Sequence, residues 1–224
     1  GGIITSETGK LLSSSVGYTY TFDSRLNGLS PDKGVLLEFG QDFAGLGGQT
    51  KYIKSTARAV AQTKILNDEV TLRATLEGGA LNFVGGQTSR VTERFGFGQE
   101  IMRGFTPDGI GPREIGGGAN DALGGRFFAV ARFEAEFPIG LPDEYNIKGG
   151  LFYDVGTVWG LDNAAAATGT VHYQNSSLRH VLGISIFWKT PVGPLRFDWT
   201  KAIKKEAFDK ESFVVLFINI FLQF

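Results

Sequence analysis

Apolar side chains recur at every second position through most of this chain. From Ser212 onward the even positions Val214, Leu216, Ile218, Ile220, Leu222 and Phe224 are apolar, while the odd ones include Asn219 and Gln223. Leu178, Leu182, Ile184, Ile186 and Trp188 share a face opposite Arg179, Gly183 and Ser185, with His180 on the apolar side. Leu195, Phe197 and Trp199 alternate with Arg196, Asp198 and Thr200, and Phe127, Ala129, Ala131, Phe133 and Phe137 alternate with Arg132, Glu134 and Glu136. Val70, Leu72, Ala74 and Leu76 stand against Arg73 and Glu77, and Val16, Tyr18, Tyr20 and Phe22 against Gly17, Thr19 and Asp23. A period of two is that of a strand whose faces meet different surroundings.

The pattern predicts about ten strands, near 12–24, 33–43, 50–64, 68–83, 89–98, 126–137, 147–158, 177–190, 194–203 and 212–224. Turn residues separate them at Asn27-Gly28, Pro31-Asp32, Leu46-Gly47-Gly48, Asn67-Asp68, Leu141-Pro142-Asp143 and Val192-Gly193-Pro194. No helix of ordinary length competes. No run reaches the roughly 18 apolar residues of a membrane helix, but strands with one face in lipid and one in a wet lumen average to neutral hydropathy. Period two also suits a soluble sandwich or a lipocalin-like barrel. The combination of charges and glycines on the opposite face, and an aromatic residue ending the last strand, favour a transmembrane antiparallel β-barrel.

Composition narrows the chemistry. Among 224 residues there are 32 glycines and 19 phenylalanines, no cysteine and one methionine, and the formal net charge is -1. The absence of cysteine removes disulfides, thiolate metal sites and cysteine nucleophiles, and charge balance gives no pull towards nucleic acid. His172 and His180 are too few for a metal site, and Asp162 reads as a solvated loop residue, so no metal or other cofactor is expected. The strings Gly85-Gly86, Gly96-Phe97-Gly98 and Gly116-Gly117-Gly118 lack the Lys-Ser/Thr of a phosphate-binding loop. Lys201, Lys204, Lys205 and Lys210 with Glu206, Asp209 and Glu211 read as a solvated mixed-charge turn. Gly1 to Lys10 lack the basic and apolar regions of a signal peptide, as in a mature or truncated chain.

One long connection, 99–125, is rich in glycine and carries no extended period. Connections of this length are usually functional or disordered. It contains Met102-Arg103-Gly104-Phe105, then Ile110-Gly111-Pro112, then Gly116-Gly117-Gly118. An arginine cannot shed its proton, so if this loop folds into a lumen Arg103 must meet carboxylates. Period two supplies Glu134 on one strand and Asp154, between outward Tyr153 and Val155, on the next. Gly104 lets loop backbone approach the wall, and Phe105 can bury its ring. Glu134 and Asp154 could otherwise serve as an acid/base pair, but an inward arginine would hold both ionised, which favours a clamp.

The Arg-Gly-Phe core, the Ile-Gly-Pro that follows, Asp154-Val155-Gly156-Thr157-Val158-Trp159, the stretch from Trp188 to Phe197 and terminal Phe224 together resemble the BamA/TamA superfamily of bacterial surface antigen barrels. The superfamily motif begins with Val where this chain has Met102. Phe105, the Val158-Trp159 pair and Trp188 resemble the BamA branch more than TamA or the two-partner secretion transporters. The resemblance implies a barrel of sixteen strands, preceded by periplasmic POTRA domains. Residues 1–224 would then be the C-terminal part of that barrel, without the POTRA domains and first strands, and loop 99–125 would fold inward. It further implies that Arg103 is held by Glu134 and Asp154, and that Ile220, Leu222 and Phe224 form the C-terminal signal by which such barrels are themselves assembled. The implied function is folding and insertion of β-barrel proteins into the outer membrane without ATP, with no enzymatic activity. Implied partners are nascent barrel proteins, outer-membrane lipid, and chaperones and accessory lipoproteins on the missing domains, with no nucleic acid. A secretion or translocation pore of the same superfamily is the alternative, and a barrel enzyme is a third reading.

Overall fold

The computed structural model describes residues 1–25, 33–191 and 193–218. Among the described residues nine strands follow one another antiparallel in a single sheet, each beside its neighbours along the chain. They are β1 (Ser15–Asp23), β2 (Gly34–Ala44), β3 (Tyr52–Ile65), β4 (Val70–Phe83), β7 (Phe127–Pro138), β8 (Ile147–Trp159), β10 (Arg179–Thr190), β11 (Gly193–Lys204) and β12 (Val214–Ile218). Between them lie β5 (Arg113–Gly116), β6 (Ala119–Ala122) and β9 (Thr170–His172), which form a small separate sheet in the order β6-β5-β9. A five-residue helix, α1 (Gly2–Ser6), packs beside the 160s loop.

The alternation is physical as well as sequential. Tyr18, Tyr20, Phe22, Leu37, Phe39, Leu76, Phe133, Leu151, Leu182, Ile184, Trp199 and Leu216 are exposed on one face. The opposite face carries Arg73, Glu77, Arg132, Glu134, Asp154, Arg196 and Asp198, in ion pairs with one another and with the loop that lies on it. An apolar outer face can lie against lipid only where its backbone groups are paired, and between neighbouring strands the registers pair them, as from Phe127↔Trp159 to Pro138↔Lys148 between β7 and β8, with β1 and β12 as the edges of the described sheet.

Consecutive antiparallel strands place successive connections on alternate rims. One rim has the short connections 66–69 and 139–146; the other has 45–51, 84–126, 160–178 and 205–213. Barrels of the outer membrane keep short turns on the periplasmic side and long loops outside, which orients the sheet.

Two expectations fail here. Residues 89–98 form no strand: they are turns and irregular backbone, with one isolated bridge, Phe95↔Gly125. The buried Arg94 guanidinium binds Ser89 Oγ at 2.9 Å and the Leu123 carbonyl at 2.8 Å, while Phe95 and Phe97 both turn onto Phe128, so apolar spacing here reflects loop packing. The long connection therefore spans 84–126, and it is not featureless, because β5 and β6 pair as a hairpin within it. The turn signals at Asn27-Gly28 and Pro31-Asp32 lie outside the described residues, as do Ile220, Leu222 and Phe224 of the expected C-terminal signal.

Ile184 sits mid-strand on the exposed face of β10. Ile184→Arg is expected to destabilise the folded barrel by about 2–4 kcal/mol, the cost of a cation near the bilayer midplane. Reversible urea titration in lipid vesicles measures it; an unchanged midpoint would mean that this face does not meet hydrocarbon.

Candidate functional site

Loop 84–126 lies on the inner face of the sheet, where Phe97, Met102, Phe105 and Ile110 form one buried apolar cluster with Phe128, Val130, Phe152, Val158 and Val181 of the wall. Into the edge of this cluster the loop inserts Arg103. Its guanidinium donates to both Asp154 oxygens, Nε to Oδ2 at 2.8 Å and Nη2 to Oδ1 at 2.6 Å, and Nη1 donates to Glu134 Oε2 at 2.9 Å. The Arg103 backbone N–H adds a bond to Asp154 Oδ2 at 3.2 Å. The guanidinium carbon stands 3.6 Å from the Phe152 ring centroid, a stacked cation–π contact. Side-chain exposure is 7% for Arg103, 9% for Glu134 and 0% for Asp154, so the contact is a desolvated ion pair, not a surface bridge.

Four further residues, Arg73, Ser185, Arg196 and Asp198, complete the cluster and were not assigned to the site from the sequence. Asp198 on β11 lies 3.7 Å from Arg103 Nη1 and also holds Arg196, whose Nη2 reaches Glu134. Ser185 Oγ donates to Asp198 at 2.6 Å. Arg73 of β4 donates to the other Glu134 oxygen at 2.9 Å. The alternation that placed Glu134 and Asp154 inward also places Arg196, Asp198 and Ser185 inward; the missing knowledge was strand adjacency. Since β7, β8, β10 and β11 are neighbours, these carboxylates converge across four strands.

The rest of the loop motif is packed around this pair. Met102 is buried beside Gly156, where a Cβ would come 3.0 Å from its sulfur. Arg132 of β7 holds the loop just before it, donating to the Glu100 carbonyl at 2.7 Å and to the Ile101 carbonyl at 2.5 Å. Gly104 has φ +89, and a Cβ there would lie 2.7 Å from Val181 Cγ1. Phe105 is buried and bridged to Glu211, with Ser212 N–H donating to the Gly104 carbonyl at 3.0 Å and Thr106 N–H to that of Lys210 at 2.9 Å. Ile110, Gly111 and Pro112 are buried, with Gly111 against Val158.

Above the loop the external connections are stapled by charged groups. Glu114 of β5 accepts from the backbone N–H groups of Gly2, Ile3, Thr168 and Gly169 at 2.8–3.0 Å. Burial pushes this carboxyl up, but the N–H donors of Ile3, Gly169, Thr168 and Gly2 outweigh it and hold it at about 2. Asp162 is not simply solvated: it accepts from Ser89 N–H at 2.9 Å and Ser89 Oγ at 2.7 Å. Nor is 201–211 an ordinary charged turn, since Asp209 is wholly buried in a pair with Arg179 at 2.9 Å. Among the described residues no cluster of His, Asp and Glu suits a metal ion.

Two measurements follow from these contacts. Arg103→Met leaves two buried carboxylates short of a partner and is expected to lose about 3–5 kcal/mol, with Arg103→Lys recovering only part because one ammonium cannot make the forked contact. Urea midpoints and protease cleavage within 84–126 report it. The Glu114 carboxyl, depressed below its unfolded value, contributes stability above about pH 4.5 that is lost as pH falls through about 2. Pepsin should therefore cut the 160s loop of wild type as readily as that of Glu114→Gln at pH 2, but more slowly at pH 4.5; equal cutting at both would remove the staple.

The chain and its architecture have relatives. Residues 3–219 match the model of the Omp85 superfamily domain. The chain is 33% identical over 207 residues to the outer membrane protein assembly factor BamA of Neorickettsia risticii, covering 92% of this chain and 27% of that protein. It is 32% identical over 127 residues to the sorting and assembly machinery component 50 homolog of Homo sapiens, covering 56% of this chain and 26% of that protein. The solved structure of BamA from Haemophilus ducreyi lacking POTRA domains 1–3 superposes with a TM-score of 0.74 at 23% identity, over 91% of this chain and 41% of that one. This chain spans about a quarter of the length of these curated relatives. An open antiparallel sheet, apolar outside and charged inside, with a loop pinned to its inner face, is thus a segment of a known barrel architecture, and the chain belongs to the Omp85 superfamily.

Proposed function

We propose that this chain is the C-terminal part of an outer-membrane barrel that folds and inserts other β-barrel proteins, with the first strands and the POTRA domains lying outside it. Its relatives named as assembly factors and sorting machinery support the reading at the level of barrel assembly. The observation that carries it is the loop itself. A passive pore needs an open wet channel, whereas here loop 84–126 is packed on the inner wall and fixed there by a buried arginine. That arrangement leaves the wall and its strand edges, and not the lumen, as the working surface.

Strand edges recognise an incoming strand by backbone hydrogen bonds, as in β-augmentation, so neither ATP nor a catalytic residue is required. Glu134 and Asp154 act as a clamp on Arg103, which keeps the wall stiff while a client strand adds at an edge. Nascent barrel proteins are the clients, outer-membrane lipid is the medium, and chaperones and accessory lipoproteins engage the domains outside this segment.

Depletion of the full-length protein in its host tests this, with Arg103→Glu as the companion allele. Unrelated outer-membrane barrels should all decline, and the charge-reversed allele should fail to restore them. Loss of a single secreted substrate, with other barrels intact, would replace the assembly role by that of a dedicated secretion pore.

A further inference from the structure

The outer face of the sheet holds a feature that the clamp does not use. Between two rungs of outward side chains runs an open groove of about 1140 Å³, lined almost wholly by apolar groups. The upper rung passes through Ala61, Ala74, Phe133, Tyr153, Leu182 and Lys201, each the direct cross-strand partner of the next. The lower rung passes in the same way through Leu72, Ala135, Leu151, Ile184 and Trp199. Ala61, Ala74 and Ala135 leave the floor low, while Phe133, Leu151, Leu182, Ile184 and Trp199 stand out around it.

The groove has a direction. Ala61 lies near the periplasmic end of β3, which closes at Ile65, whereas Lys201 lies near the external end of β11, which closes at Lys204. The upper rung therefore climbs across the bilayer. From β11 to β4 it crosses four inter-strand steps of about 4.8 Å, a path of roughly 19 Å along the sheet surface, oblique to the membrane normal. It has the reach of one acyl chain descending from the outer interface.

A cation marks its upper end. Lys201 is exposed between Trp199 and Ile203, and its ammonium has no ion pair or hydrogen bond with any described residue. A lysine on a lipid-facing position is costly at the midplane and tolerable near an interface, where it reaches head groups. On β10 and β11 the next rung up is polar as well: a bulge sets Lys204 opposite His180, and the His180 ring is hydrogen-bonded to the Tyr153 hydroxyl, while Val155, Ala131 and Leu76 continue that rung as apolar residues. Apolar length ending in an unpaired cation and a phenol–imidazole pair is complementary to a lipid with an anionic head.

We propose that this groove binds an anionic phospholipid of the outer leaflet, its acyl chain lying between the two rungs and its phosphate on Lys201, with Lys204 and the Tyr153–His180 pair bounding the head group. The site lies on the outer face of β3, β4, β7, β8, β10 and β11, away from the loop clamp on the inner face.

The full-length protein in nanodiscs of mixed phosphatidylglycerol and phosphatidylcholine, followed by native mass spectrometry of retained lipid, tests this. Wild type should retain phosphatidylglycerol over phosphatidylcholine. Lys201→Gln should weaken that preference about fivefold, the worth of one lysine at an anionic surface, and Ala74→Phe, which fills the floor, should lower retention of both lipids. Both variants are on the exposed face, and heat-modifiable migration on gels confirms that they fold. Unchanged phosphatidylglycerol retention in both folded variants would overturn the proposal, as would co-purification of a second protein at this face in place of lipid.

Discussion

A guanidinium taken out of water must bring its counter-charges with it, and much of this structure can be understood as the consequence of burying Arg103. Its exposure is 7% and that of Asp154 is 0%, so neither can fall back on solvent. The forked contact to Asp154, the bond to Glu134 and the stack on Phe152 together fix the guanidinium plane in all directions. Because Glu134 is on β7, Asp154 on β8 and Asp198 on β11, one loop side chain engages three strands of the wall, alongside the direct Arg196–Glu134 and Ser185–Asp198 contacts. Removing any one of these groups strands the others in a low-dielectric site, which is why such a cluster is costly to break even where it adds little net stability.

The loops outside the barrel repeat that logic on a smaller scale. Glu114, Arg94 and the Arg179–Asp209 pair are each buried charged groups whose partners come from another segment: Glu114 accepts from the Ile3 N–H, Arg94 pairs with Glu7, and Asp209 holds Arg179 at the start of β10. The buried apolar residues of loop 84–126 pack on the wall, and above them charged groups that saturate backbone N–H and C=O groups hold the external connections to one another. The loop tip adds backbone pairing, Gly104 and Thr106 to residues 210–212, which connects the clamp to the segment leading into β12.

How much of this was legible in the sequence depended on whether an environment imposed a period. Strands with one face in lipid show strict alternation, so eight strands of the main sheet could be read to within a few residues, and the start of β12 with them. Loop 84–126 has no such environment, and there apolar residues are spaced by the wall they pack on; Val91, Phe95 and Phe97 imitated a strand for that reason. The inward direction of Glu134 and Asp154 was readable from alternation alone. The convergence of Arg196, Asp198 and Ser185 on the same point was not, because it depends on the stagger between neighbouring strands. Asp162 and Asp209 were misread as solvated because nothing in local sequence reveals a partner dozens of residues away, Ser89 for one and Arg179 for the other.

The two faces of the wall constrain each other through single residue steps. Phe133 precedes Glu134 and Tyr153 precedes Asp154, with the aromatic of each pair outward and the carboxylate inward. A slip of one residue in β7 or β8 would put a carboxylate into lipid and an aromatic ring where Arg103 now sits, losing both environments at once. Phe133 and Tyr153 are direct partners, with rings stacked at 6.4 Å, and so are Arg132 and Asp154 one step inward. Register in this part of the barrel is thus specified twice, by lipid on one side and by the buried charge cluster on the other.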